Sequence, residues 1–159
     1  MPLEEWLFFY IIPFVSLFSH FALFYAFPNL KLNKTTTRYI SVALLGVSLF
    51  LITFFYPRAY TVVNFSFLLV AIALGMRFKI ELLQQFYISF LIILIPFFLV
   101  NGILTGLITD IPVVWYDNTE NLGIRLITIP VEDIGYAFTM LFGNLMIFDL
   151  LNKKTAHTG

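Results

Sequence analysis

Leu83 to Ile108 reads LQQFYISFLIILIPFFLVNGILTGLI, a stretch without a single Asp, Glu, Lys or Arg. A helix needs about 20 mostly apolar residues to cross the hydrocarbon of a bilayer, and this stretch is long enough. Pro96 interrupts it centrally, where a kink is expected. Similar windows lie on both sides. Glu5 to Phe27 ends at Pro28-Asn29, Thr36 to Tyr56 ends at Pro57-Arg58, Tyr60 to Met76 is the shortest, and Pro130 to Leu151 is the last. The fold class is therefore all-α: a polytopic transmembrane helix bundle of about five spans. Gly102 and Gly106 stand at small-xxx-small spacing, which suits close helix contact.

Composition leads to the same solvent. The chain is 60% hydrophobic, 19% aromatic and 11% charged, with a mean hydropathy of +0.94. A soluble domain carries about 25% charged residues, and one of this length hides only about two-thirds of its surface. Lipid must cover the rest. Net charge is zero and no basic run occurs, which sets nucleic acid aside as a partner. The absence of Cys removes disulfides, thiol catalysis and thiolate metal sites. No Lys or Arg precedes Lys31, so the first window is read as a retained span and not as a signal peptide.

Seven of the nine basic residues fall on one side of the five-span arrangement: Lys31, Lys34, Arg38, Arg77, Lys79, Lys153 and Lys154. Only Arg58 and Arg125 fall on the other. Basic loops stay cytoplasmic, so the N-terminus is expected outside and the C-terminus inside. The acidic residues Glu4, Glu5, Asp110, Asp117, Glu120, Glu132 and Asp133 show the opposite bias.

One internal repeat carries chemistry. Pro2-Leu3-Glu4-Glu5, followed by Phe8-Phe9-Tyr10, recurs as Pro130-Val131-Glu132-Asp133, followed by Tyr136-Ala137-Phe138. Four spans separate the copies, which returns both acidic pairs to one membrane face. A single Pro-x-Glu-Glu is how many ordinary helices begin, since Pro suits the first turn and carboxylates complement the helix dipole. Duplication with flanking aromatics, in a chain with few charges, makes the acids candidates for function.

At these residues the sequence resembles a known family. Pro2-Leu3-Glu4-Glu5-Trp6-Leu7-Phe8-Phe9 is similar to the signature closing the first half of the two-half lycopene cyclases of carotenoid biosynthesis. Asn101-Gly102-Ile103-Leu104-Thr105-Gly106, Val114-Trp115-Tyr116, Glu120-Asn121-Leu122-Gly123-Ile124-Arg125 and Ile129-Pro130-Val131-Glu132-Asp133 resemble the second half of the fused bacterial form. The resemblance implies two parallel three-helix repeats joined by a linking helix. On that template residues 1–34 hold the last helix of a first repeat, 35–58 the linking helix, 59–152 the second repeat and 153–159 a polar tail. About two helices expected before Pro2 are absent, so a second cyclase chain or a homo-oligomer is an expected partner. The implied location is the bacterial cell (inner) membrane.

The implied reaction converts the acyclic ψ-end of lycopene, delivered from the lipid bilayer, to a β-ring. A proton adds to the terminal alkene, the neighbouring alkene captures the tertiary cation, and a ring proton leaves. Such a step needs a protonated acid and a nearby base; desolvation favours a neutral carboxyl, and a helix N-terminus opposes it. The candidate catalytic residues are Glu132 first, then Asp133, Glu4 and Glu5. Aromatic faces attract cations, which makes Trp6, Phe8, Tyr10, Trp115, Tyr116 and Tyr136 candidate shields, although Trp and Tyr also gather at any membrane interface. Asn101 belongs with them through its motif, and Arg125 as a partner for Asp117, Glu120 or Glu132. His20, one turn past Ser16, reads as a helix–helix hydrogen-bonding group or a proton relay. Asn64, Thr105 and Asn144 read as a polar bundle interior.

No His, Asp or Glu cluster has metal-ligand spacing and no dinucleotide fingerprint occurs, so no cofactor or metal is expected. Competing readings are a non-catalytic membrane partner, a small transporter, for which broken helices with midplane ion sites are diagnostic, and a carotenoid end-group hydratase in which water captures the same cation.

Overall fold

The computed structural model describes residues 3–108 and 111–156, apart from the side chains of residues 3–6, 8, 9 and 153–156. The side chains of Glu4, Glu5, Trp6 and Phe8 thus lie outside the described residues, as does Asp110. Five helices run in order: α1 (Leu3–Ala26), α2 (Lys34–Phe54), α3 (Ala59–Phe78), α4 (Ile80–Leu104) and α5 (Glu132–Ala156). A two-stranded antiparallel hairpin, β1 (Arg125–Leu126) and β2 (Ile129–Pro130), precedes α5. Helices α2 to α5 are each long and apolar enough to cross a membrane, and in α1 the described apolar stretch Tyr10–Ala26 is shorter. The protein is an all-α polytopic membrane bundle.

Local chemistry explains where the helices stop. Asn33 caps α2, its side chain accepting from the Thr35 amide at 2.9 Å. A single residue, Lys79, ends α3 and begins α4, so the fourth helix starts three residues earlier than hydropathy alone suggests. It also ends earlier, at Leu104. Gly106 takes φ 98°, its amide bonds to Ile103 and the Leu107 amide to Gly102 at 2.8 Å, which is a Schellman closure. Gly102 and Gly106 therefore serve a helix end, and a side-chain carbon at Gly102 would meet only Leu107. The expected close helix contact lies elsewhere. The α4 helix continues through Pro96. Pro130 sits in β2 and not in the first helical turn, because Arg125 and Leu126 pair with Pro130 and Ile129 and hold that segment extended.

Helix α3 is central, packing on α2, α4 and α5. Its contact with α5 is built on size complementarity, since a side-chain carbon placed on Gly75 would come within 2.7 Å of the Phe142 ring. Phe142 is fully buried among Phe86 and Phe138, whose rings meet edge-on at 5.0 Å. Phe138 also meets Phe90 edge-on at 5.1 Å, which ties α4 to α5. Polar side chains link helices across the apolar interior. His20 Nδ1 shares a 2.7 Å hydrogen bond with Ser89 and Ser41 one of 2.8 Å with Tyr87, while Gln84 donates to the Leu32 carbonyl at 2.7 Å. His20 is thus a helix–helix bonding group between α1 and α4. The outward faces of all five helices remain apolar, as lipid contact requires.

The packing makes a prediction. Gly75→Ala forces the Phe142 ring to move within a filled core and should cost about 1–3 kcal/mol. Gly46→Ala has nothing within 4 Å and should be neutral or stabilising. Thermal unfolding of the detergent-solubilised variants, measured side by side, distinguishes the two.

Candidate active site

The first turn of α5 places Glu132 and Asp133 side by side at the end of the bundle where α3 begins and α4 ends. Both are buried, at 0% and 5% exposure. A carboxylate withdrawn from water is tolerated only where donors replace the water, and the surrounding segments supply them. Glu132 Oε1 accepts from the Thr61 hydroxyl and from the Leu122 amide, each at 2.7 Å. Asp133 Oδ1 accepts from the Tyr60 phenol and Oδ2 from the Tyr116 phenol, each at 2.5 Å. Glu132 Oε2, by contrast, is buried without a hydrogen-bond partner.

Tyr60 and Thr61 come from the first turn of α3, and the segment joining α4 to α5 sets that turn. Arg58 precedes α3 without capping it through its own side chain. Glu120 does so from a distance: its carboxylate accepts from the Ala59 amide at 3.1 Å, and its carbonyl accepts from the Tyr60 and Thr61 amides at 3.1 and 3.4 Å. Arg58 in turn donates to the Asn121 carbonyl at 2.5 Å, and the buried Asn121 side chain accepts from the Gly123 amide at 2.7 Å. The same segment thereby delivers the Leu122 amide to Glu132 and the Tyr116 phenol to Asp133.

Arg125 departs from expectation. Its guanidinium donates to the Thr128 carbonyl and to Asn118 Oδ1, both at 2.9 Å, and lies 5.7 Å from the centre of the Tyr116 ring. The β1–β2 turn occupies it, so it stacks on the phenol that holds Asp133 and forms no ion pair with Asp117, Glu120 or Glu132 among the described residues. Burial, reinforced by the hydrogen bond to the Asp133 carboxylate, raises the Tyr116 pKa far above the ordinary phenol value and keeps it a donor. Asp117 is held below the usual carboxylate value by the hydroxyl and then the amide of Thr119, in a solvent-exposed turn away from the pair.

The other candidates scatter. Trp115 and Tyr10 are 78% and 76% exposed. Tyr136 is exposed but lies near enough to Asp133 to feel its charge. Asn101 donates to the Phe97 carbonyl one turn back and does not join the acids, and Asn64 and Asn144 bond their own helices in the same way. Tyr60, Thr61, Glu120 as a cap, and the Leu122 amide went unforeseen. A signal for the first two existed, since the span count puts the start of α3 on the membrane face of Glu132. No group of three or more His, Cys, Asp and Glu able to hold a metal occurs among the described residues.

Fold and site together define a helical membrane protein with a desolvated, donor-clamped acid pair at one end of its bundle. A family model described as Lycopene cyclase matches residues 57–151, more than half of the chain, and the protein belongs to that family. Membership implies a cyclase-type enzyme with a carotenoid substrate and a lipid environment. Comparisons with curated proteins and with solved structures found no match.

The remote cap is testable. Glu120→Ala should lose about 1 kcal/mol of stability and loosen the Tyr60 and Thr61 hydroxyls, whereas Glu120→Gln keeps an acceptor oxygen and should behave like the parent. Comparing the two variants' thermal midpoints in detergent, with the parent as reference, decides whether the cap matters.

Proposed function

We propose that this chain, alone or within a larger cyclase, carries out the acid–base conversion of the acyclic ψ-end of lycopene to a β-ring. The family match over residues 57–151 supports the reaction class. The observation that supports the residue roles is the unequal clamping of two adjacent buried carboxyls: both Asp133 oxygens accept from phenols, while Glu132 Oε2 has no partner.

Hydrogen-bond accounting divides the labour. The Oε2 of Glu132 is the one carboxyl oxygen of the pair without a protein partner, which suits it to present the acid's proton to an alkene π-bond. Transfer to the terminal double bond forms a C–H bond and a tertiary cation. The neighbouring alkene then closes the ring by a C–C bond, and loss of a ring proton to Asp133 forms the ring double bond. One proton enters and one leaves, with no net change in oxidation state, and Glu132 is reprotonated before the next turnover. Tyr60 and Tyr116, with ring centres 6.0 Å apart, offer π-faces to the passing cation while holding Asp133 in place.

We further propose that α3 to α5 form one cyclase repeat, with α2 as the linking helix and α1 as the end of a preceding repeat. Glu4 and Glu5 at the start of α1 then form a second acid pair. The N-terminus faces outward from a bacterial inner membrane, as the distribution of Lys and Arg supports.

Expression in lycopene-accumulating bacteria, alone and extended at the N-terminus by two helices of a first repeat, tests the reading. β-Ring product should form in at least one case and fall by roughly 10²–10⁴-fold in Glu132→Gln, the range expected for loss of a general acid. Tyr116→Phe should lower it by roughly 10-fold or more, as befits one hydrogen bond to a charged group. No product from either form, or product undiminished in Glu132→Gln at equal protein level, overturns it.

A further inference from the structure

Between α4 and α5 the chain leaves the helical bundle, yet several of its described exposed side chains are large and apolar. Ile111 is 83% exposed, Val113 72%, Trp115 78% and Ile127 66%. Water-facing connections carry polar residues, and an apolar set of this kind marks an interaction surface. These residues are gathered at one place. Val113 and Val114 both donate backbone amides to the Leu104 carbonyl, and Thr128, beside Ile127, shares a 2.6 Å hydrogen bond with Thr105. Both pieces therefore flank the end of α4. The polar part of the same connection, Asp117 to Glu120, is tied instead to the start of α3.

The hairpin tip adds a second, independent observation. Ile127 adopts φ 63°, a left-handed conformation that β-branched side chains disfavour. A two-residue hairpin turn with positive φ at this position ordinarily takes Gly, Asn or Asp. In water an exposed aliphatic residue here would be unfavourable both conformationally and by hydration. Contact with hydrocarbon reverses the second contribution. Backbone groups at this depth are best satisfied by the protein; β1–β2 pairing, the Val131 amide on the Ile124 carbonyl, and the two bonds to Leu104 meet part of that need.

We propose that the apolar flank of the α4–α5 connection, formed by Ile111, Val113, Trp115 and Ile127, is embedded among lipid acyl chains at the membrane surface where α5 begins. It continues the lipid-facing surface of α4, whose Leu99 and Ile103 are also exposed. Trp115 sits at the interface as an anchor, and the polar turn at Asp117 to Glu120 projects to water. The surface does not depend on the cyclase reading and stands or falls separately from it.

Site-directed fluorescence in proteoliposomes tests the embedding. Trp6→Phe leaves Trp115 as the sole tryptophan with the connection itself unaltered. In a Trp6→Phe, Trp115→Phe background, Ile127→Trp and Asn118→Trp report the hairpin tip and the polar turn. Emission at Trp115 and at the Ile127 site should be quenched by lipids brominated near the headgroup end of the acyl chain and several-fold less by aqueous acrylamide; the Asn118 site should show the reverse. Aqueous quenching at Trp115 equal to that at the Asn118 site overturns the proposal. So does protection of Trp115 from both quenchers, which would mean that protein covers the patch. Because Trp115 is native, a misfolded Ile127 variant does not remove the test.

Discussion

Two adjacent carboxyls withdrawn from water at the first turn of α5 set the constraint around which one end of the molecule is arranged. The helix N-terminus helps, because its unpaired amides and dipole favour negative charge, but that contribution does not supply the donors two buried acids need. Those donors come from three places far apart in sequence: the first turn of α3, the Leu122 amide and the Tyr116 phenol. The Leu122 and Tyr116 donors meet the acids because the α4–α5 connection folds back across the start of α3, and Glu120 and Arg58 fasten it there. Burial of the acids, the shape of the connection and the capping of α3 are one interdependent arrangement.

The apolar middle of the bundle works under a different rule. Lipid gives helices no hydrophobic reason to associate, so association rests on close packing and on a few polar links. The Gly75–Phe142 fit and the ring cluster of Phe86, Phe90, Phe138 and Phe142 supply the packing. His20–Ser89 and Ser41–Tyr87 attach α1 and α2 to α4 by neutral hydrogen bonds. At the end away from the acids, Lys79 in the α3–α4 turn pairs with Asp149 on α5. These links match polarity to depth: neutral inside the hydrocarbon, ionic at its boundary.

Much of this was legible because lipid imposes long runs of one character. The all-α polytopic class and the placing of five helices within a few residues follow from uncharged stretches such as Leu91 to Leu99. Glu132 and Asp133 could be singled out because acids are rare in such a chain. Less visible were contacts set by three-dimensional closure. Nothing local to Glu120 marks it as the cap of a helix that begins at Ala59, and Tyr60 and Thr61 look like ordinary residues at a helix start. Gly102 and Gly106 had the spacing of a helix contact but close a helix end, whereas Gly75, four residues after Ala71, makes the tight crossing. Arg125, expected on a carboxylate, is held by the hairpin turn, whose two-residue strands are too short to show a period in sequence.

A final step concerns why a dry acid pair and an apolar connection occur together. A polyene has no polar handle by which a protein could draw it out of the bilayer, so the cost of reaching a site rises with every apolar atom that must cross water. A site whose roof is itself immersed in acyl chains removes that crossing. On the proposed chemistry the same immersion serves the reaction: a carbocation formed beside water is trapped as an alcohol, and one formed beside phenol faces and a desolvated carboxylate survives long enough to close a ring. Glu132 Oε2, the oxygen of the pair that the fold leaves without a donor, is then the one free to face an alkene. Exclusion of water at the acid and embedding of the connection are, on this view, two consequences of one requirement, that the substrate never leave an apolar phase.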